Sequence, residues 1–375
     1  MSEKSNRIIS GLLIVAVIGG LGVFGIKFAE KLGAFEKYPE PTYLYTTEEA
    51  VRPVYSRLSD SEKAVYTCLF DNISGSQQVE INLPYEITGA EYEKIYCILE
   101  KQEGDLFYID SSYYTSENLK KAKIVYRNYS DLPVMQEVFE NAKQSALASV
   151  PEGADDYTKA LCLHDYIIQH SRYITGEGEK YSSTAYGCLV EGSANCEGYA
   201  KAFNVLAYES GLQSVLVTGI TDKGENHAWN QVNVNGKWYN LDITWDDTGD
   251  SDIRHIYFLC DDLNFGRTHY QKNTSFTPFS CDAMDDNYYV HEGFYAVSDE
   301  EALDIVLREV QKGNYNISMR FKDSYAYEDF KQKYLTEKRL FEIIYNLEGD
   351  RGSGTVSINL TETRSEHCMN LVISK

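Results

Sequence analysis

The 375-residue chain is 43% hydrophobic, long enough for two or three domains with their own cores and too apolar to stay disordered. Acidic residues outnumber basic ones, 57 against 35, giving a formal charge of −22. That balance excludes a nucleic-acid partner bound through basic patches, while saying nothing about fold.

In chain order, the first feature is IISGLLIVAVIGGLGVFGI, Ile8 to Ile26, an uncharged run about the length of a bilayer-spanning helix. It is longer than a signal-peptide core and no A-x-A site follows, so we read 8–26 as a retained transmembrane anchor. Lys4 and Arg7 precede it and Lys27, Lys31 and Lys37 follow, so flanking charge does not set orientation. The short leading tail favours a single-pass protein of the cell membrane with its domains extracytoplasmic. Residues 27–47, with YPEPTYLYTT, read as a stalk.

Residues 48–131 read as a small α+β domain. LSDSEKAVYTCLFDNI is helical with Ser59 or Ser61 as cap, QQVEINLP is a strand, and TGAEYEKIYCILEKQEG is a second helix. LFYIDSSYYT and KAKIVYRNY are tyrosine-rich strands. Residues 132–290 open with two helices, MQEVFENAKQSALASV and DDYTKALCLHDYIIQHSRY. Residues 291–375 form a third unit, again α+β: helix DEEALDIVLREVQKG, strand NISMRF, helix YEDFKQKYLTEKRLFEIIYNLEG, and strands TVSINLT and MNLVIS.

Of eight cysteines, Cys68, Cys97 and Cys162 sit in apolar helical patterns where a buried thiol is the plain reading; a Cys68–Cys97 bridge stays open. No C-x-x-C occurs, so neither a zinc ribbon nor a thioredoxin-like motif is supported. Cys196, in GSANCEGYAKAF, differs. Asn195 is a good N-cap; Tyr199, Ala202, Phe203 and Leu206 recur on one helical face, and Gly211 ends the helix. Cys196 falls on that face in the first turn, at the positive end of the helix dipole, which favours the attacking thiolate.

Downstream, HAWNQVNVNGKWYNLDITW carries Asn235-Gly236 between alternating runs, a strong hairpin signal. A two-residue turn pairs Val234 with Lys237, Trp229 with Asp242 and His227 with Thr244. His227 and Asp242 are then diagonal neighbours, about 7–8 Å apart, on the face carrying Trp229, Gln231, Asn233 and Asn240. Val232, Val234, Tyr239, Leu241 and Ile243 take the other. A thiolate attacks acyl carbon, an imidazole takes its proton, and a carboxylate holds that imidazole in the required tautomer. Singly, each residue is more often structural; the spacing joins His227 to Asp242 without bringing Cys196 to them.

The stretch from TAYGCLVEGSANCEGYAKAFNVLAYESGL to GENHAWNQVNVNGKWYNLDITWDD resembles the transglutaminase-like core, in the branches of bacterial surface proteins and kyphoscoliosis-peptidase-type enzymes. The shared motifs are CEGYAKAF, HAWN.V and GKWYNLD.TWDD; the flanking domains are not covered. The resemblance implies an α+β, papain-like core: the Cys-bearing helix packed on an antiparallel sheet, with Cys196 as nucleophile, His227 as general base and acid, and Asp242 as its orienting carboxylate. It suggests an oxyanion hole of the Cys196 N–H and Tyr186, with a packed tyrosine as the competing reading. Trp229 and Trp245 are candidate cleft walls, or core. His164 and Asp165, on a helix that is structural in the family, receive no chemistry. No metal or cofactor is implied, and the calcium dependence of animal transglutaminases does not carry over. The expected substrate is a peptide or protein, including cell-wall peptide, with hydrolysis favoured over cross-linking. A cross-linking transglutaminase and a non-catalytic peptide-binding or assembly module remain alternatives.

Overall fold

The computed structural model describes residues 46–175, 180–249, 253–272, 275–348 and 356–374. The anchor expected at 8–26 and the stalk up to residue 45 lie outside the described residues. Among the described residues, no helix is long and apolar enough to cross a membrane.

The first unit contains helix α1 (Asp60–Ser76), strand β1 (Glu80–Thr88), helix α2 (Gly89–Gln102) and strands β2 (Ile109–Tyr113) and β3 (Asn118–Tyr126). Both helices begin in reciprocal capping boxes, Ser59 with Glu62 and Thr88 with Glu91. The sheet order is β1-β3-β2, antiparallel. The strand expected to stop at Pro84 continues to Thr88. Pro84 cannot donate to the ladder, and the register shifts between Asn82 and Ile87, where it sits.

Two helices follow, α3 (Leu132–Leu147) and α4 (Asp156–His170). Then come strand β4 (Arg172–Tyr173), helix α5 (Ala185–Leu189), strand β5 (Ser193–Ala194) and the helix headed by the cysteine, α6 (Cys196–Glu209). Strands β6 (Ser214–Thr221), β7 (Asn226–Val234) and β8 (Lys237–Leu241), a short helix α7 (Ile243–Asp246) and strand β9 (His269–Gln271) complete the centre. The sheet is antiparallel in the order β8-β7-β6-β9. Asn235 and Gly236 turn the β7–β8 hairpin with φ of 54° and 81°, the left-handed pair that matches strand twist.

The last unit has strand β10 (Tyr295–Ala296), helix α8 (Asp299–Gln311), strand β11 (Asn316–Phe321), helices α9 (Ser324–Phe330) and α10 (Arg339–Glu348), and strands β12 (Ser357–Thr363) and β13 (Cys368–Ser374). The single helix expected across this stretch is interrupted at Lys338, whose left-handed φ of 62° no helix accommodates. One continuous core runs from Val54 to Tyr289 and takes in Cys368, so the first and central units share it; a second core fills the last unit. All eight cysteines are free thiols, so the open Cys68–Cys97 bridge does not form.

Candidate active site

The Cys196 helix starts as its sequence suggests. Asn195 Oδ1 accepts from the N–H groups of Glu197 (3.0 Å) and Gly198 (3.2 Å), leaving Cys196 as the first helical residue. A Cβ on Gly198 would lie 2.4 Å from the Ser182 carbonyl oxygen and 2.7 Å from Ala194 Cβ, so only glycine lets that chain close over the helix. The helix differs from expectation in its surroundings. Residues 198–207 are buried on every side, and Cys196 packs with Ala200, Leu216 and Ala228 against β6 and β7 rather than on the Tyr199 face.

Polar residues inside this helix are all partnered. Lys201 is held by Glu100 (2.5 Å) and Glu197 (2.9 Å), and Asn204 joins Asn230 to Gln102. Gln102 exchanges two hydrogen bonds with the Leu216 backbone, 3.0 and 2.9 Å, capping the edge of β6. Burial alone would lower the Lys201 pKa; the two glutamates override it and raise it. The first unit is thus wired directly to the helix that carries the cysteine.

The hairpin register is the one expected, with Asn230 opposite Leu241 and Val234 opposite Lys237. The ladder is shorter. β8 ends at Leu241, because Asp242 turns inward and caps α7, so Thr244 never faces His227 across a ladder. Asp242 is 1% exposed, and its two oxygens collect five donors. Oδ1 takes Thr244 N–H (3.0 Å), Thr244 O–H (2.6 Å) and Trp245 N–H (3.3 Å). Oδ2 takes His227 Nε2 (2.6 Å) and His269 Nε2 (2.9 Å).

The two groups shift in opposite directions, each toward its charged form. Burial would lower the His227 pKa, but Asp242, and then Cys196 through a hydrogen bond and its charge, raise it to about 10. Burial would raise the Asp242 carboxyl, but His227 and His269 hold it far below the usual carboxylate range. With Nε2 on Asp242, Nδ1 is the imidazole nitrogen left for the thiol. The structure therefore brings Cys196, His227 and Asp242 together. Burial pushes the Cys188, Cys260 and Cys368 thiols up to about 12, and raises those of Cys68, Cys97, Cys162 and Cys281 as well.

Three expected site residues sit elsewhere. Tyr186 is stacked on Phe107 at 4.7 Å and packed with Tyr181 and Phe139, in an aromatic cluster joining the first unit to the centre. Trp229 is 1% exposed, beneath the sheet against Phe265 and His269; it is core. Trp245 is half-buried, its ring 5.8 Å from His227 and 4.4 Å from His269, outside the cavity lining the thiol. The tyrosine that senses the site is Tyr173, on β4 beside β5. Its phenol is raised first by burial and then by the charges of Cys196 and Asp242.

A cavity of about 450 Å³ opens on the thiol, lined by Asn195, Cys196, His227 and Thr218 together with Lys101 from α2 and Lys272 just past β9. A Cβ on Gly219, also on its wall, would meet the Tyr270 carbonyl oxygen at 2.3 Å and the Trp229 ring at 2.5 Å; glycine is what lets β9 close in. A second cavity, about 440 Å³, lies between the centre and the last sheet and contains none of the Cys–His–Asp groups.

His269 is the main residue that sequence reasoning missed. It stands in a three-residue strand with no alternation to mark it, and its partner lies 27 residues away. Two clusters gather metal-ligand atoms within 4.8 Å of one another: His227, Asp242 and His269, and His164, Asp165 and His255. In both, imidazole–carboxylate hydrogen bonds of 2.6 to 2.9 Å account for the spacing.

A cysteine at a helix N-terminus, packed against an antiparallel sheet that presents histidine and aspartate, defines the papain-like class of core. Within that class, residues 145–243 match the family model of the transglutaminase-like superfamily, and this chain carries that superfamily's core. The kyphoscoliosis peptidases of Mus musculus and Homo sapiens are each 26% identical over 170 residues, covering 38% of this chain and 26% of the relative. The chain thus spans about a quarter of the length of these curated relatives. Among solved structures, a TGase overlaps 34% of this chain and 36% of its own, with 18% identity and a TM-score of 0.28. A chain from Cytophaga hutchinsonii assigned as a cysteine protease overlaps 40% and 56%, with 18% identity and a TM-score of 0.27.

Proposed function

We propose that this chain is a surface-anchored thiol enzyme that opens peptide or glutamine amides through Cys196, His227 and Asp242, and passes the acyl group to water more often than to an amine. The observation that carries the reading is the 2.6 Å bond from His227 Nε2 to buried Asp242, with Cys196 hydrogen-bonded to the same imidazole. A binding module has no use for all three. The surface location rests on the uncharged run 8–26.

In the reaction, the Cys196 thiolate adds to the amide carbonyl, forming the S–C bond while the carbonyl electrons move to oxygen. The Cys196 backbone N–H meets that oxyanion. The His227 imidazolium gives its proton to the leaving nitrogen, the C–N bond breaks, and a thioester remains. His227, now neutral, takes a proton from water; hydroxide adds, the C–S bond breaks, and carboxylic acid and thiolate are released. A primary amine in place of water would give a cross-link.

The test is incubation with a glutamine-containing peptide and a primary-amine probe, read by mass. Hydrolysed peptide supports the reading, amine adduct favours the cross-linking alternative, and no product at all leaves the binding module. Cys196→Ala should lose all product while keeping the fold, since alanine at this first helical position costs little packing; a folded variant that keeps most of the product would remove Cys196 from the mechanism.

A further inference from the structure

The charges lining the catalytic cavity do not follow the chain's overall sign. Lys101 (3.3 and 3.8 Å) and Lys201 (2.9 and 2.5 Å) are each tied to Glu197 and Glu100, so this group of four is internally neutral. Burial would raise the Glu197 carboxyl, but the two lysines hold it well below the usual range, so it stays ionised and paired. Lys272 is different. It is exposed, its backbone N–H is fixed to the Thr218 carbonyl at 3.0 Å, and its ammonium forms no ion pair among the described residues. Among the described residues lining this cavity, Lys272 is the cation without an ion pair.

We propose that Lys272 makes the site selective for an acyl donor that carries a carboxylate next to the scissile amide, such as a peptide with an acidic neighbour or a free C-terminal carboxylate close by. This rests on the thiol-enzyme reading above and narrows it. β9 places the residue: His269 points inward to Asp242, and three positions later Lys272 emerges at the cavity. The same charge disfavours a lysine ammonium as acceptor and leaves neutral water unaffected, which agrees with hydrolysis. One unit charge at the wall of such a cavity, at a dielectric between that of water and of the interior, changes the local concentration of an anion by about fivefold.

The test needs no natural substrate. The full chain is alkylated with iodoacetate and, separately, iodoacetamide; in each case the Cys196 S–C bond forms as C–I breaks and iodide leaves. The reagents differ in one negative charge, so the ratio of their rates at Cys196, followed by peptide mapping, reads the cavity's charge. Lys272→Ala should lower the iodoacetate-to-iodoacetamide ratio about fivefold and Lys272→Glu by more than tenfold, both differences shrinking in high salt. An unchanged ratio in Lys272→Glu, with Cys196 still labelled quickly by iodoacetamide and slowed by His227→Ala, overturns the selectivity while leaving the thiol-enzyme reading intact. Cys196 labelled by neither reagent in the native protein overturns both.

Discussion

Asp242 shows how much one carboxylate can be asked to organise. Two imidazoles share Oδ2, and three donors from its own turn hold Oδ1. His269 has 0% side-chain exposure; Phe265 stacks on it at 3.9 Å, and its Nδ1 lies 2.9 Å from Thr268 Oγ1. Since an ionised carboxylate only accepts, both Nε2 atoms carry hydrogen, and His269 Nδ1 shares a hydrogen bond with the Thr268 hydroxyl. His269 touches no reacting atom; it is a positioning residue that keeps Asp242 aimed at His227. A hydrogen bond to a charged group contributes about 1.5–3 kcal/mol, so His269→Leu should slow Cys196 alkylation about tenfold and displace its pH profile. His269→Gln, which can still donate, should recover most of both. Identical rates and profiles in wild type and His269→Leu would reduce His269 to packing.

At the scale of elements, α4 and α7 are joined by a second imidazole–carboxylate cluster. His164 is fully buried, with Nδ1 2.8 Å from Asp165 and Nε2 3.3 Å from Asp246; His255 adds 2.8 Å to the same Asp165 oxygen. Asp246 also takes the Tyr257 N–H on both oxygens at 3.1 Å, so the cluster pins the turn that begins with Asp242. Burial would lower the His164 pKa, but the two carboxylates raise it from 6.5 to about 9. Because the folded value is the higher one, the stability from this charge is complete below about pH 6.5 and is lost as pH climbs through about 9. The gap in unfolding free energy between wild type and His164→Gln should therefore narrow across that window by roughly 3 kcal/mol. A gap that stays constant would show His164 neutral throughout. The contrast with the hairpin explains what could be read in advance. Asn195, Asn235-Gly236 and Gly211 act on their immediate neighbours, so the Cys196 helix and the β7–β8 register were legible from residues alone. His164 meets Asp246, His269 meets Asp242, and Lys272 reaches the cavity only through long-range folding. Trp229 takes the core alternative because a strand of the central sheet is covered on both faces, so the side opposite the helix is core as well.

At the scale of the molecule, a buried pair links the last unit to the site. Arg320 on β11 is 1% exposed; it donates to the Ile256 carbonyl oxygen at 3.1 Å and to Glu366 at 3.2 Å. Ile256 precedes Tyr257, whose N–H holds Asp246 and whose carbonyl oxygen accepts the Asp242 N–H at 3.1 Å. The segment at 256–260 also bridges to β8, since Asn240 and Cys260 exchange two 2.8 Å bonds. Arg320 thus fastens the strap on which the Asp242 backbone hangs. Arg320→Met would leave Glu366 as a buried, unpaired charge, and breaking such a pair on one side costs about 3–5 kcal/mol. Removing both charges avoids that penalty, so Arg320→Met with Glu366→Met should recover much of the urea midpoint lost by the single variant. If the strap also keeps Asp242 in register, the single variant should slow Cys196 alkylation under native conditions and the double should restore it in part. A single variant as stable as wild type would show the pair contributing nothing. A double variant as unstable as the single would place the loss in the Arg320 bonds to the strap, not in the stranded carboxylate.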